Sequence, residues 1–285
     1  MNNIIKTMIE SYPEHKIQKE NVLRQVLQDI VLCSLYRIGF FKKCAFIGGT
    51  ALRIFHNLDR FSEDLDFALL KEDKKFDFNT YVPQMKTFIE SFGLKVDIDP
   101  KIRKNERNTV VFNARFNLQD LYDQYYPEEH IRVEHGRILK IEIDIDTQII
   151  DGIHIESKYL LKPQSFSATL FDKPTLFASK IAAILLRKWG DRGFKGRDLY
   201  DYIFYLSDKT PVNLNYLQSK LSQNSKWNAR ETLTLAKLKS LLQNRFVHIT
   251  YKKAIDDIKP FVKDIEQLKV WNKEFFIDIT EKNMK

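Results

Sequence analysis

The sequence predicts an α+β protein, in which a mixed sheet with flanking helices is followed by a helical C-terminal domain. Residues 20–38 place apolar side chains at helical spacing. Between residues 94 and 157, several segments alternate apolar and polar residues, which is the pattern of half-buried strands. After about residue 173 the apolar spacing becomes helical. We therefore expect an α/β core with an N-terminal helix in residues 1–170 and a helical domain in residues 171–285.

The elements are assigned in chain order from these periodicities. After the first helix, a buried strand at CAFIGG enters a glycine turn, and a helix begins near Thr50. A strand follows at DLDFALL, and a helix at TYVPQMKTFIESF has Pro83 in its first turn. The apolar stripe of the first helix consists of Val22, Leu23, Val26, Leu27, Ile30 and Val31. Further strands are expected at LKVDID, TVVFNARFNL, ILKIEIDID and IHIES, and further helices at PTLFASKIAAILLRKW and GRDLYDYIFYL. We expect a mixed α/β core of about four or five strands.

Composition defines the class of protein. Of the 285 residues, 44% are hydrophobic and 29% are charged, so the chain can bury a core and has the balance of an ordinary globular protein. The two cysteines, Cys33 and Cys44, lack metal-ligand spacing, which argues against a disulfide framework and against a zinc site. The N-terminus lacks the pattern of a signal peptide, and the longest apolar stretch is too short to span a bilayer. We therefore expect a cytoplasmic protein that has no membrane partner.

Two glycines and two aspartates lie close together in FIGGTALRIFHNLDRFSEDLDF, residues 46–67. Gly48 and Gly49 let the backbone approach a ligand closely, and the following helix turns free N–H groups toward it, which forms an anion site. In a strand, Asp64 and Asp66 project to the same side. Adjacent carboxylates repel each other unless a cation lies between them, and Mg²⁺ binds both carboxylates and substrate phosphates. Each motif alone is common, but together they predict the phosphate and metal site of a phosphoryl-type transfer.

A third carboxylate is predicted in LKIEIDID, residues 139–146. Strict alternation places the isoleucines on one face of this strand and Glu142, Asp144 and Asp146 on the other. One of these acids could complete the metal site and deprotonate an incoming hydroxyl. We favour Asp144, with Glu142 next. The alternative is an exposed edge strand whose acids prevent aggregation.

A third group of charged residues interrupts the core-like segment SKIAAILLRKWGDRGFKGRDLYDYIFYL, residues 179–206. Lys180 and Arg187 lie two turns apart on one side of an apolar helix, where a lysine is costly unless it meets an anion. Asp198 and Asp201 share one face of the next helix. We expect Asp198 to cap its helix or to hold Arg197 or Lys180. The alternative is a surface network of ion pairs with little energetic effect.

Three segments of the chain resemble the AbiEii/AbiGii-type nucleotidyltransferases. These are the toxin components of bacterial type IV toxin–antitoxin and abortive-infection systems, within the polymerase-β-like nucleotidyltransferase superfamily. The resemblance covers about residues 40–206 and implies a polymerase-β-like core with a helical C-terminal domain that contributes to the active site. The wider superfamily more often has Gly-Ser where this chain has Gly-Gly. The three segments are GGTALRIFHNLDRFSEDLDF, KIEIDI and SKIAAILLRKWGDRGFKGRDLYDYIFYL.

The resemblance also implies roles for individual residues. Asp64 and Asp66 would be metal ligands, with Asp144 or Glu142 as the third acid. Lys180 would contact the nucleotide phosphates, and Asp198 would act in nucleotide binding or catalysis. The residues implied in nucleotide binding are Gly48, Gly49, Thr50, Arg60, Ser62, Lys180, Arg187, Arg197 and Asp201, among which Arg60 and Ser62 would brace the loop.

The function implied is a Mg²⁺-dependent nucleotidyltransferase, with Mn²⁺ as a substitute metal. It would move a nucleoside monophosphate from an NTP onto an acceptor hydroxyl of RNA, such as the 3′ end of tRNA, and act in growth arrest or phage defence beside a cognate antitoxin. The net charge of +8, with clusters at residues 101–107 and 188–197, agrees with an RNA partner, although solubility alone explains such a charge. The alternatives are a transferase for antibiotic-type small molecules and a catalytically silent NTP sensor.

Overall fold

The structure is a computed structural model that describes residues 3–13, 18–99, 109–187 and 195–285. In these residues one mixed sheet has seven strands in the order β3–β4–β5–β2–β1–β7–β6. The strands are β1 (Cys44–Ile47), β2 (Leu65–Leu69), β3 (Asp97–Asp99), β4 (Thr109–Asn117), β5 (Ile138–Asp146), β6 (Ile155–Leu160) and β7 (Phe166–Phe171). The predicted α+β class is confirmed.

Helices precede, interrupt and follow the strands. The helices of the N-terminal half are α1 (Asn3–Glu10), α2 (Lys19–Arg37), α3 (Gly48–His56), α4 (Val82–Glu90) and α5 (Leu118–Tyr125). Those that follow the last strand are α6 (Lys173–Leu186), α7 (Gly196–Ser207), α8 (Leu214–Gln223), α9 (Leu235–Val247), α10 (Tyr251–Ile258) and α11 (Lys273–Asn283). In the described ranges, every helix is too short or too polar to cross a membrane.

The chain divides into two compact units. The first contains Met1–Thr50, Glu63–Ile149 and Ser157–Leu170, and the second contains Ala51–Ser62, Ile150–Glu156 and Phe171–Lys285. Two short segments that precede residue 171 in the chain, 51–62 and 150–156, therefore belong to the second unit. Three of the five boundaries fall within the continuous elements α3, β6 and β7.

The helix α2 is the apolar element that the sequence predicts. All six residues of its predicted stripe are at most 2% exposed. Burial extends further round the helix to Gln28, whose Nε2 donates to the carbonyl oxygen of Glu63 at 2.8 Å. This bond satisfies a buried amide that would otherwise oppose folding.

The register of the central strands brings the predicted acids together. β2 pairs parallel with β5, and Asp66 lies opposite Asp144. β5 also pairs antiparallel with β4 along its whole length. It is therefore an interior strand, and the alternative of an exposed edge strand at residues 139–146 is wrong.

Two sequence expectations differ from the structure. The sheet has seven strands in the described residues rather than four or five, because all six segments assigned as strands join it and β7, which was not assigned, is added. No glycine turn separates β1 from α3, since the helix begins at Gly48 directly after Ile47. Gly48 itself has φ +78°, so its backbone provides the change of direction that a longer turn would otherwise make.

Aromatic side chains fill the core of each unit. In the first unit, Phe40 contacts Phe67 edge to face, with ring centroids 5.0 Å apart. In the second unit, Phe177 stacks on Tyr205 at 4.5 Å. The hydroxyls of Tyr202 and Thr280 lie 2.7 Å apart and satisfy each other inside the helical core.

Candidate active site

Gly48 lies against the carboxylate of Asp66. A Cβ atom added to Gly48 would lie 2.2 Å from Asp66 Oδ2, and the positive φ of Gly48 independently disfavours any side chain. Gly48 also starts α3, whose first N–H groups have no partner within the helix. Position 48 therefore requires glycine, because the backbone at the start of α3 lies too close to the Asp66 carboxylate for any side chain.

Carboxylates on β2, on β5 and one residue before β2 form one acidic row in the first unit, which we define as Asp64, Asp66, Glu142 and Asp144. Asp66 and Asp144 are cross-strand partners, and neighbouring strands lie about 4.8 Å apart. The intervening Leu65 and Ile143 are fully buried on the other face of the sheet. The predicted placement of the acids on the face opposite the isoleucines is therefore confirmed for β5.

The carboxyl of Asp144 has a raised pKa. Burial, together with the charges of Asp66, Glu142 and Asp64, raises its pKa from 3.8 to about 7. Its Oδ1 is buried and has no hydrogen-bond partner. A bound cation would relieve both the repulsion from these neighbouring acids and the lack of a partner for Oδ1.

The other two candidates for the third acid have partners in the protein. Glu142 Oε2 lies 2.5 Å from Lys140 Nζ. Asp146 Oδ1 accepts a hydrogen bond from the backbone N–H of Gln148 at 2.9 Å. Glu142 and Asp146 therefore each have a polar partner, whereas Asp144 Oδ1 has none.

The acidic row is not a closed ligand shell. In residues 3–13, 18–99, 109–187 and 195–285, no group of three or more His, Cys, Asp or Glu side chains is arranged to hold a metal ion. The donor chemistry nevertheless suits a hard cation, because carboxylate oxygens are its preferred ligands and Asp144 Oδ1 has no other partner.

Thr50 connects α3 to the segment that carries the first aspartate. Its side chain is fully buried, and Oγ1 donates to the carbonyl oxygen of Asp64 at 2.5 Å. Asp64 lies one residue before β2, not within it. The hydroxyl of Thr50 therefore positions Asp64, and any contact of Thr50 with a phosphate would come from its backbone N–H.

The second unit contains a buried ion-pair network, which we define as Arg60, Lys180, Arg187, Asp198 and Asp201. Arg60 binds Asp201 through two bonds, Nε–Oδ1 at 2.6 Å and Nη2–Oδ2 at 2.7 Å. Lys180 Nζ lies 2.8 Å from Asp198 Oδ1 and 2.9 Å from Asp201 Oδ2. Arg187 Nη2 lies 2.8 Å from Asp198 Oδ2.

The network is buried, so the alternative of a surface network is wrong. The side chains of Arg60 and Asp201 are 3% and 0% exposed, and those of Lys180 and Asp198 are 14% and 5% exposed. Burial disfavours the ionised form of Asp198, but Lys180 and Arg187 outweigh it and lower the pKa of this carboxyl to about 2. Burial likewise opposes the charge of Lys180, yet Asp198 and Asp201 raise its pKa. All five groups are therefore charged at neutral pH.

Three cations and two anions leave one excess positive charge in the network. Arg187 is the most exposed of the three cations, at 25%, and its Nε is buried without a hydrogen-bond partner. An excess buried cation favours the approach of an anion. The network can thus hold a phosphate group in addition to its own aspartates.

Two supporting residues escaped prediction. Arg245 donates from Nε to the carbonyl oxygen of Ile184 at 2.9 Å and from Nη2 to that of Arg187, which fixes the end of α6. Asn113 lies opposite Glu142 on β4, with a buried Oδ1 that has no hydrogen-bond partner. Asn113 could have been found from the alternation of β4, whereas nothing in the sequence signals Arg245.

The remaining predicted residues lie around these two groups. Gly49 and Ser62 are buried, and the guanidinium carbon of Arg197 lies 4.4 Å from the ring centroid of Phe261. Arg197 therefore stacks on an aromatic ring. The basic cluster at residues 101–107 and residues 188–194 of the second cluster lie outside the described residues.

Replacing Gly48 by alanine is expected to destabilise the first unit by about 2–4 kcal/mol, because backbone strain and a clash with Asp66 add together. The matched control is Gly136→Ala, where φ is +77° but a Cβ atom would meet nothing within 4 Å. The control should cost only about 1 kcal/mol. Thermal unfolding of both variants measures the difference, and equal costs would show that the contact with Asp66 is not tight.

Two solved structures from Helicobacter pylori are similar to this chain. One is JHP933, with a TM-score of 0.52 and 15% identity over 93% of this chain and 92% of that chain. The other is a proposed nucleotidyltransferase, with a TM-score of 0.51 and 15% identity over 93% of this chain and 95% of that chain. At this identity the likeness shows the fold. A search of the curated proteins found no match.

The sequence also matches a family of known activity. Residues 30–276 match the family described as "Nucleotidyl transferase AbiEii toxin, Type IV TA system". The match covers most of the chain, includes both charged groups, and confirms the resemblance and the nucleotidyltransferase activity. Its members use an NTP substrate and act beside a cognate antitoxin. The chain belongs to the AbiEii family of nucleotidyltransferase toxins of type IV toxin–antitoxin systems.

Proposed function

We propose that this nucleotidyltransferase moves a nucleoside monophosphate from an NTP onto a hydroxyl of RNA, with the 3′ end of tRNA as acceptor, in a Mg²⁺-dependent reaction. The observation that carries the proposal is the environment of Asp144. Its Oδ1 is buried without a hydrogen-bond partner, and its pKa is raised to about 7 by burial and by the neighbouring acids. A carboxyl group in this state is suited to meet a cation or to accept a proton.

Asp64, Asp66 and Asp144 would hold Mg²⁺, or Mn²⁺ in its place, and Glu142 is the alternative third acid. A cation in the acidic row would relieve the mutual repulsion that raises the pKa of Asp144. When bound, the ion would neutralise charge that develops on the polyphosphate and help to orient the acceptor.

The chain's own residues would bind the triphosphate. The N–H groups of Gly48, Gly49 and Thr50 open α3 and would donate to phosphate oxygens. Lys180 and Arg187 would supply the positive charge that the network has in excess. The other members of the network would position these cations. Asp201 has its carboxylate bound by Arg60 and Lys180 and is fully buried, so we propose a positioning role for it and not contact with the nucleotide.

Proton transfer would fall to Asp144. The acceptor oxygen forms a bond to the α-phosphorus while the bond from that phosphorus to pyrophosphate breaks, and the hydroxyl proton moves to the Asp144 carboxylate. In accepting this proton, the Asp144 carboxylate would act as the general base of the transfer.

The choice of RNA as acceptor is supported by charge. The formal net charge of +8 provides an attractive field for a polyanion. Transfer to tRNA would block its use in translation and would cause the growth arrest expected of a toxin in phage defence. A small alcohol or an antibiotic-type molecule would require the same transfer chemistry, so the acceptor must be tested directly.

The test is transfer of label from each of four α-³²P NTPs, with Mg²⁺, onto total bacterial RNA. We expect label in a band of tRNA size with the intact protein and none with Asp64→Ala/Asp66→Ala. Label transferred to small molecules of a cell extract, but not to RNA, would replace the RNA acceptor by a small molecule. Absence of transfer to any acceptor under these conditions would contradict the proposal.

A further inference from the structure

The strand β6 (Ile155–Leu160) lies at one end of the strand order and exposes apolar side chains. Its residues alternate between exposed and partly buried, and Ile155 and Tyr159 are 51% and 75% exposed. Within the described part of the chain, β7 is the only strand next to it. An open edge with exposed apolar residues is a template for pairing with another strand.

The backbone groups that point to the open edge can be identified. Asp172 donates from its backbone N–H to the carbonyl oxygen of His154 at 3.0 Å, and residues 161–165 alone connect β6 to β7. So short a connection permits only antiparallel pairing, in which successive residues direct their N–H and C=O groups to opposite sides. Because His154 faces β7, the groups of Ile155, Ser157 and Tyr159 face the open edge.

The side chains of β6 are complementary to a second copy of the same strand. In an antiparallel pair centred on Ser157, Glu156 lies opposite the copy's Lys158, and Ile155 lies opposite the copy's Tyr159. In this register, Ile155, Ser157 and Tyr159, whose backbone groups face the open edge, lie opposite the same three residues of the copy. Antiparallel hydrogen bonding requires this arrangement. Unlike charges and aromatic–β-branched pairs are both favourable when they face each other across strands.

Neighbouring registers are disfavoured by charge. A pair centred on residue 156 keeps the backbone hydrogen bonds but places Glu156 opposite the copy's Glu156. A pair centred on residue 158 likewise places Lys158 opposite the copy's Lys158. Like charges directly opposite each other destabilise a strand pair. Within the chain, Glu156 Oε1 also lies 3.5 Å from His56 Nε2.

We propose that two copies of this protein pair through β6, antiparallel and centred on Ser157, so that their sheets become continuous. The two-fold axis passes by Ser157, and each contact occurs twice. One strand edge is a small interface, below about 1,200 Å², so the dimer is weak and forms at micromolar or higher concentration.

Sedimentation velocity of the full chain over a wide concentration range tests this pairing. The wild-type protein should associate as concentration rises. In Glu156→Lys and in Lys158→Glu, the residues at positions 156 and 158 of the two copies carry like charges and face each other. Each variant should therefore raise the dissociation constant at least about tenfold. A mixture of the two single variants restores unlike charges in every pair, so it should associate again as a heterodimer. Ser157→Pro, which removes the central N–H on the open edge without changing charge, should remain monomeric.

Three outcomes would overturn the proposal. One is a wild-type protein that stays monomeric at the highest concentration. Another is association of the single variants as strong as that of the wild type, which would place any dimer contact elsewhere. The third is failure of the mixed single variants to associate, provided that each melts near the wild-type temperature, because this would exclude the register centred on Ser157.

Discussion

Asp144→Asn is expected to abolish nucleotidyl transfer and to make the protein more stable above pH 7. Loss of the proposed general base and metal ligand should lower the rate about 10²–10⁴-fold or more. The stabilising effect follows from removing a half-buried carboxylate whose pKa is raised from 3.8 to about 7 by burial and by Asp66, Glu142 and Asp64. Activity and stability should therefore change in opposite directions, as they do when a site is built for function.

The stability change depends on pH in a defined direction. Because the folded-state pKa of Asp144 exceeds the unfolded value, the folded state binds this proton more tightly, and the contribution of Asp144 to stability falls as pH rises from about 4 to about 7. Asparagine does not titrate, so the variant gains most above pH 7 and nothing below pH 4. We expect a gain of about 1–2 kcal/mol, less than the full shift implies because solvent reaches part of the carboxyl.

Thermal unfolding at several pH values, without divalent ions, measures this difference. The matched control is Asp97→Asn, since Asp97 is an exposed acid on β3, and its melting temperature and activity should follow the wild type. An Asp144→Asn variant that is less stable than the wild type at pH 8 would contradict the electrostatic account of the acidic row.

Asp201→Asn should destabilise the second unit severely. The substitution keeps the shape of the side chain but leaves Arg60 without its bidentate carboxylate and Lys180 with one acidic partner instead of two. Removing one partner of a buried ion pair costs about 3–5 kcal/mol, because the remaining charges stay buried. Burial opposes ionisation of Asp201, but Arg60 and Lys180 lower its pKa, so its contribution is present at neutral pH and is lost as pH falls below about 4.

Urea unfolding of Asp201→Asn compared with Asp256→Asn measures the cost of the buried pair. Asp256 lies 2.8 Å from Lys259, but both side chains are about half exposed. Its substitution should leave the free energy of unfolding close to that of the wild type, because solvent screens an exposed ion pair. Equal effects of the two substitutions would show that the network contributes no more than a surface pair.

The sequence predicted those elements whose pattern is strong and local. β5 alternates strictly, and every second residue from Leu139 to Ile145 is fully buried. α2 has its predicted stripe inside the core. β7 escaped prediction although FSATLF alternates, with Phe166, Ala168 and Leu170 buried and small polar residues between them. Its position between β1 and β6 depends on tertiary pairing that no local pattern encodes.

The residues of the candidate site could be predicted from the sequence, but the contacts between them could not. The acids on β2 and β5 could be named from their motifs, yet the parallel register that places Asp66 opposite Asp144 depends on the topology of the sheet. Similarly, Lys180 and Asp198 are near in sequence, whereas Arg60 reaches Asp201 across 141 residues. The motif alone was also compatible with ion pairs on the surface. Whether these side chains are buried depends on the packing of the whole fold, which the local sequence does not show.

The most direct test of the acidic row is binding of Mn²⁺ to the intact protein, followed by electron paramagnetic resonance in the presence of a non-hydrolysable NTP analogue. The measurement does not depend on knowing the acceptor. We predict that the wild-type protein and Asp97→Asn bind the ion equally, and that Asp66→Asn and Asp144→Asn bind it about 100-fold more weakly. Equal binding by Asp66→Asn and the wild type would contradict the assignment of the metal to Asp64, Asp66 and Asp144.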